Sequence, residues 1–168
     1  MHFEHRASLT EAEAKRLFHW REHVFAPVGR HIEWEPLAHH YVCVEEGRLA
    51  AHLSCDIKRL RHGGRTISIL AIGSVVVHPE FQGRKLGVRL LEYVHGLLGS
   101  VFDAAGAWLF CDEGLVPYYA RAGYRRVPNP VTFQQSSGLV ACPWVSMIFE
   151  KKGPLIGDGE VVIDSRPW

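Results

Sequence analysis

Apolar residues in TEAEAKRLFHWREHVF, Thr10 to Phe25, fall at Ala14, Leu17, Phe18, Val24 and Phe25, near helical spacing. Thr10 followed by Glu13 is a capping box, in which the hydroxyl and the carboxylate satisfy each other's backbone N–H, so a first helix is predicted to begin there. After a Pro- and Gly-containing connection, YVCVEEGRLAAHLSCDIKRLRHGGRTISILAIGSVVV alternates strand-like runs with the turn signals Glu46-Gly47 and Gly63-Gly64. That pattern predicts three antiparallel strands in a meander. The stretch SVVVHPEFQGRKLGVRLLEYV, Ser74 to Val94, then changes character halfway. A β-branched run gives way to a short polar loop bearing Gly83 and Gly87, and the helix that follows carries Leu90, Leu91, Val94, Leu97 and Leu98 on one side. Gly106 breaks the chain before AWLFC, read as a strand, LVPYYARAGYRRV reads as a short helix ended by Gly123 and followed by a strand, and VACPWVSMIFE reads as one final long strand. No pattern places the tail GPLIGDGEVVIDSRPW. The fold class implied is α+β, a mixed, mostly antiparallel sheet with helices on its faces.

Composition narrows the function classes. A chain of 168 residues is expected to form one domain spanning 1–168, with 153–168 as a C-terminal tail. With 19 Lys+Arg against 18 Asp+Glu the net charge is +1, which supplies no broad basic field for nucleic acid or an anionic membrane. Cys43, Cys55, Cys111 and Cys142 lie far apart without paired spacing, which suits buried thiols in a reducing compartment. The opening residues are too polar for a secretory signal, and no apolar run approaches the roughly 20 residues of a bilayer span, so a cytoplasmic location is expected.

Candidate chemistry centres on residues 82–88. A strand that ends in a Gly-bearing loop opening into a helix presents unpaired N–H groups and the positive end of the helix dipole, an arrangement that favours phosphate. Gly83 and Gly87 permit close backbone approach, while Arg84 and Lys85 add cationic side chains. The loop is neither G-x-x-x-x-G-K-[ST] nor G-x-G-x-x-G.

From Gln82 the loop reads Q-G-R-K-L-G, and 32 residues after Gly87 comes Tyr119, four residues before Gly123-Tyr124. On these two elements the sequence resembles the GNAT superfamily of N-acetyltransferases, over roughly residues 1 to 150, with Lys85 standing where the family pattern has its central glycine. The resemblance implies a sheet splayed between two central strands, with acetyl-CoA as cofactor. Its pantetheine arm would run along Val75, Val76 and Val77, and its pyrophosphate would sit over Gln82, Gly83, Arg84, Lys85, Leu86, Gly87 and Val88. Gly73 marks a bulge or close approach that would help open the sheet. Tyr119 would be the general acid toward the departing thiolate, with Tyr118 one residue out of place, and a backbone N–H near Val75 to Val77 would polarise the thioester carbonyl. Asp112 is the candidate base and equally a helix cap; Glu33, Glu35 and His78 are weaker candidates.

Within the family the sequence is similar to aminoglycoside N-acetyltransferases of the 2′-N type. The shared points are Glu33-Trp34-Glu35, the basic hairpin KRLRHGGR, and Asp164 shortly before Trp168. That resemblance implies a small cationic amine, an aminoglycoside, held by Glu33, Glu35, Asp164 and Trp168, with Asp158 and Glu160 close by. Gly73 and Ser74 stand where those relatives carry an acidic residue, so the choice of nitrogen does not transfer. Another small amine or a protein amino group is the alternative acceptor, a homodimer is compatible with the reading, and a non-catalytic acyl-CoA sensor is the reading of another class. HWREH, His19 to His23, fits the H-x-x-E-H pattern of zinc peptidases but lacks a third ligand, so no metal is expected.

Overall fold

The computed structural model describes residues 1–20 and 32–168. The first helix, α1, spans Glu11–Phe18 and opens on the capping box of Thr10 and Glu13 in full. The predicted continuation through Val24 and Phe25, and most of the HWREH pattern, lie outside the described residues. Before α1 runs a strand that the polar N-terminal sequence concealed, β1 at His2–Arg6, which pairs antiparallel with β2 at His39–Glu45.

The meander is present as β2, β3 at Arg48–His62 and β4 at Arg65–Val77. Its turns sit where the signals stood: Glu46 and Gly47, then Gly63 and Gly64, all take positive φ, the geometry of tight hairpin turns. Helix α2 follows at Leu86–Gly96, then β5 at Gly106–Cys111, the single-turn helix α3 at Val116–Ala120 and the two-residue strand β6 at Arg125–Arg126. The long strand expected over 140–150 is two strands. A hairpin of β7, Val131–Gln135, and β8, Gly138–Ala141, ends at Cys142-Pro143-Trp144, and β9 starts afresh at Val145–Glu150. Pro143 has no N–H to give a ladder, which is why the run cannot continue. The unplaced tail contains β10, Val161–Ile163, inserted between β3 and β7.

The described strands form one sheet in the order β6-β9-β5-β4-β3-β10-β7-β8, with β2 and then β1 joined to the first half of β3. Among the described strands only β4–β5 and β7–β10 are parallel. The α2 face buries Leu90, Leu91 and Val94 against Leu53, Cys55, Leu70 and Leu109. Leu90, Leu91 and Val94 each contribute roughly 2 kcal/mol by leaving water. On the opposite face Leu17 of α1 packs with Val42 and Val76, and Trp108, Phe133 and Ile163 form a separate cluster.

One feature of the sheet positions the site. β4 and β5 are registered only over Ile69–Ala71 against Gly106–Trp108, after which the two part, while β5 stays paired with β9 as far as Cys111. From Ile72 onward β4 has β3 on one side and an opening on the other.

Candidate functional site

The opening is shaped by a bulge. His52 pairs with Val76 and Ser54 with Gly73, so Ser74 and Val75 together face Leu53. In the sequence Gly73 marks either a bulge or a close approach; the bulge residue with the left-handed backbone is its neighbour Ser74, at φ 49°. Gly73 supplies close approach instead, since a Cβ there would stand 3.1 Å from Leu37 Cδ1 and 3.2 Å from Trp168 Cδ1.

The extra residue changes which amides face the opening. Ala105 N donates to Ser68 O at 3.0 Å, so Ser68, Leu70 and Ile72 direct their backbone groups toward β5. Beyond the bulge, His78 N donates to Ala50 O at 2.8 Å, so Val76 faces β3 while Val75 and Val77 turn to the opening. Two carbonyls on this edge are already taken: Ile72 O accepts from Trp168 Nε1 at 3.0 Å, and Val77 O accepts from Gln82 Nε2 at 3.0 Å. The Val75 N–H, the Val75 carbonyl and the Val77 N–H remain directed into the opening.

The predicted loop closes one end. A 3₁₀ turn at Pro79–Phe81 leads through Gln82 and Gly83, at φ 79°, to Lys85, which caps α2 from the left-handed conformation at φ 59° without a side-chain capping bond. Lysine therefore adopts the backbone shape for which the family pattern uses glycine, at a cost of about 1 kcal/mol. The first helical bond is Arg89 N to Lys85 O at 3.0 Å. The N–H groups of Leu86, Gly87 and Val88 accordingly have no acceptor inside the helix, and the dipole's positive end points the same way.

Edge, loop and helix end enclose a cleft of about 420 Å³ walled by Val75, Val76, Val77, Gln82, Gly83, Lys85, Leu86 and Gly87, with Phe81, Leu115, Tyr118 and Tyr119 opposite. Of the ten residues predicted for the cofactor, eight line it. Arg84 stands outside on the loop, over the Phe81 ring at 5.3 Å and 3.8 Å from Glu46, and Val88 packs into the core. A separate opening of about 400 Å³ between β1, α1 and the β2–β3 turn is walled by Glu4, Arg6, Glu13 and Arg16, which pair with one another or with Glu80.

Both tyrosines of α3 enter the cleft. Tyr119 is almost wholly buried, its ring 5.1 Å from that of Tyr118 and 6.0 Å from that of Tyr124, and burial pushes its phenol above the ordinary tyrosine range. It therefore keeps its proton at any physiological pH. Tyr118, set aside on its offset from Gly123, is half-buried in the same wall, with its hydroxyl against Gly87. Nothing in the sequence spacing links residues 118 and 87. Asp112 is exposed at the start of a 3₁₀ turn, outside the cleft walls; its carbonyl, not its carboxylate, caps that turn by accepting from Leu115 N at 2.9 Å.

The residues predicted for the acceptor do not gather as free carboxylates. Glu33 is 2.9 Å from Arg166 and accepts from the Ser136 hydroxyl, Glu35 pairs with Lys58, and Asp164 accepts from Arg61 Nε at 2.7 Å. Trp168 stands beside the opening and not in the cleft wall: besides its bond to Ile72 O, its ring lies 4.8 Å from Phe110, so the indole bridges the two strands where they part. The Trp34 ring packs at a tilt of 44° against that of Trp144, centroids 4.9 Å apart. His78 caps the 3₁₀ turn before the loop, accepting from Glu80 N.

Residues 6–127 match the acetyltransferase (GNAT) domain family. No curated protein matches the sequence. Among solved structures, Escherichia coli ElaA is similar at a TM-score of 0.56 and 16% identity, over 89% of this chain and 99% of that one. A GNAT family acetyltransferase from Brucella melitensis, solved in complex with acetyl-CoA, is similar at a TM-score of 0.52 and 22% identity, over 94% of each chain. A GCN5-related N-acetyltransferase from Kribbella flavida matches 52% of this chain at 23% identity and a TM-score of 0.47, and the chain spans 21% of its length.

Proposed function

The chain belongs to the GNAT acetyltransferase domain family, and from that premise we propose that it is an N-acetyltransferase that moves an acetyl group from acetyl-CoA to the amino group of a small cationic amine. The observation that carries the proposal is the departure of β4 from β5 after Ala71, which leaves a polar backbone edge running to a helix N-terminus that no side chain caps.

The cleft fits this cofactor in its donor set. Bare amides at residues 86–88 suit a diphosphate, and the mixed donor and acceptor groups of Val75 and Val77 suit an arm containing amides. When bound, acetyl-CoA supplies an acetyl group activated as a thioester. The chain's own residues would do the rest. The Val75 or Val77 N–H donates into the site where negative charge develops on oxygen. Tyr119 holds a proton at its hydroxyl for the sulfur end, and its burial against Tyr118 and Tyr124 keeps water from the ring. Asp112 would act through water, since it stands outside the walls.

For the acceptor, the resemblance to the 2′-N aminoglycoside enzymes supports an aminoglycoside. Because Glu33, Glu35 and Asp164 are held by Arg166, Lys58 and Arg61, such a substrate would displace protein cations rather than meet free carboxylates. Since salt screens the displaced pairs and the new ones alike, its KM should then vary only shallowly with salt. A thiol-release assay with acetyl-CoA and a panel of aminoglycosides, simple amines and peptides tests this. Turnover of aminoglycosides is the expected result; turnover of the other amines alone would move the acceptor class, and acetyl-CoA binding without any transfer would remove the enzyme reading.

A further inference from the structure

A buried histidine stands behind the bulge. His52, on β3, is 1% exposed, and its Nδ1 lies 2.9 Å from the carbonyl oxygen of Ser74. A carbonyl only accepts, so Nδ1 carries the proton and donates. The other ring nitrogen, Nε2, is then bare, and it lies 3.0 Å from His40 Nδ1 on β2, which must donate to it. Two imidazoles thus form a directed chain, His40 to His52 to Ser74, that ends on the one residue of the bulge with a left-handed backbone. The Phe18 ring from α1 closes over His52 edge-on at 5.1 Å. His5 and His39 are the other titratable groups acting on His40, and burial holds His52 neutral, pushing it down to about 4.

The bond has a geometric consequence. Ser74 O would otherwise alternate with Ile72 and point into the opening; the bulge and its φ of 49° turn that oxygen toward β3 and swing the next amide, Val75, to the cleft side. For serine this conformation costs roughly 1 kcal/mol, and the hydrogen bond from His52 offsets it. We propose that His52, with its tautomer set by the Ser74 carbonyl and its bare Nε2 satisfied by His40, is a positioning residue that locks the Ser74–Val75 bulge and so keeps the Val75 N–H aimed into the cleft. Its catalytic consequence rests on the acetyl-transfer reading; its structural part does not.

The experiment has two arms. Nitrogen-15 NMR of the histidine rings of the intact wild-type protein reads the tautomer directly: His52 is expected with Nδ1 protonated and Nε2 bare, and His40→Phe is expected to keep the proton on Nδ1 while shifting the Nε2 resonance that has lost its donor. An Nε2-protonated His52 in the wild type overturns the proposal whether or not the protein acetylates anything. In the second arm, His52→Asn places an amide N–H where Nδ1 stood and His52→Leu places none. With an accepted amine, His52→Leu should lose kcat by on the order of 100-fold while calorimetric affinity for acetyl-CoA stays within about twofold, because the loop is untouched. His52→Asn should recover most of the loss. Equal loss in both variants, or full kcat in His52→Leu, overturns the positioning role. Absence of turnover in the wild type with every amine sinks the enzyme reading alone and leaves the NMR arm to decide this one.

Discussion

The Tyr118 hydroxyl lies so close over the α-carbon of Gly87 that a Cβ built on Gly87 would stand 2.0 Å from it, with Val77 Cγ2 at 3.1 Å on the other side. The pair brings α3 down onto the N-terminus of α2 and forms the corner between loop and cleft. Gly87 is therefore required by its neighbour; its own backbone conformation is ordinary helix.

Gly87→Ala should push the Tyr118 ring into the cleft and raise KM for acetyl-CoA by about tenfold or more, a displacement on the order of 1 Å at the binding surface being enough. Tyr118→Phe removes the clashing atom and leaves the ring carbon behind it 3.3 Å from the new methyl. The double variant should thus recover most of the affinity, measured by calorimetry. If the double variant binds no better than Gly87→Ala alone, the contact is not what makes Gly87 necessary.

Tyr119→Phe separates proton donation from packing. The ring is buried against Tyr118 and Tyr124, and Phe retains that contact, so thermal stability and acetyl-CoA affinity should hold. With the hydroxyl gone, kcat should fall by roughly 10²- to 10⁴-fold if the phenol is the acid. An unchanged kcat assigns the proton to water or to Tyr118.

Much of this site was legible because its parts are local. The β-branched run, the Gly-bearing loop and the amphipathic helix follow one another within Ser74 to Val94, and each has a pattern of its own. The splay was legible only through family resemblance, since it depends on where β5 stops pairing, a fact set by residues more than thirty positions away. Tyr118 over Gly87, and His40 to His52 to Ser74, are contacts between elements, and no spacing rule announces them. β1 and β10 were missed for another reason. HFEHR alternates polar residues with a single Phe, and VVI is too short to show a period, so both become strands through the pairing edges of β2, β3 and β7. The acidic residues failed as a pocket because charge counting along a chain cannot see partners: Arg166, Lys58 and Arg61 reach Glu33, Glu35 and Asp164 from other elements or across the tail.

Lys85 offers a test of the loop's backbone. At φ 59° a glycine is relaxed, whereas a β-branched residue is strained further. Lys85→Gly should leave acetyl-CoA affinity within a few-fold of wild type, apart from the lost side-chain charge. Lys85→Val should both lower stability by about 1–2 kcal/mol and weaken binding, because the helix can relieve the strain only by moving its first amides. Calorimetry and urea unfolding of the two variants give the comparison, and equal behaviour would mean that the left-handed turn does not persist in solution.

Stability should fall on mild acidification before any carboxylate titrates. Burial pushes both His52 and His95 down to about 4 from an ordinary 6.5, and His40 is lowered in the same direction by burial and by its histidine neighbours. A group whose folded-state pKa is depressed binds its proton first in the unfolded chain. For these histidines the folded state is thus at full advantage above about pH 6.5 and loses ground as pH drops toward 4. The shift from 6.5 to about 4 corresponds to roughly 3 kcal/mol for each of the two most buried rings. Carboxylates such as Glu13, whose pKa is lowered by hydrogen bonds from Thr10, act only below their own ordinary range, so the interval from pH 6.5 to 5 isolates the imidazoles. Urea midpoints measured across that interval should decline steadily in the wild type and less steeply in His52→Asn. A flat profile from pH 7 to 5 would mean that His52 and His95 reach water, and the directed chain through His52 would go with it.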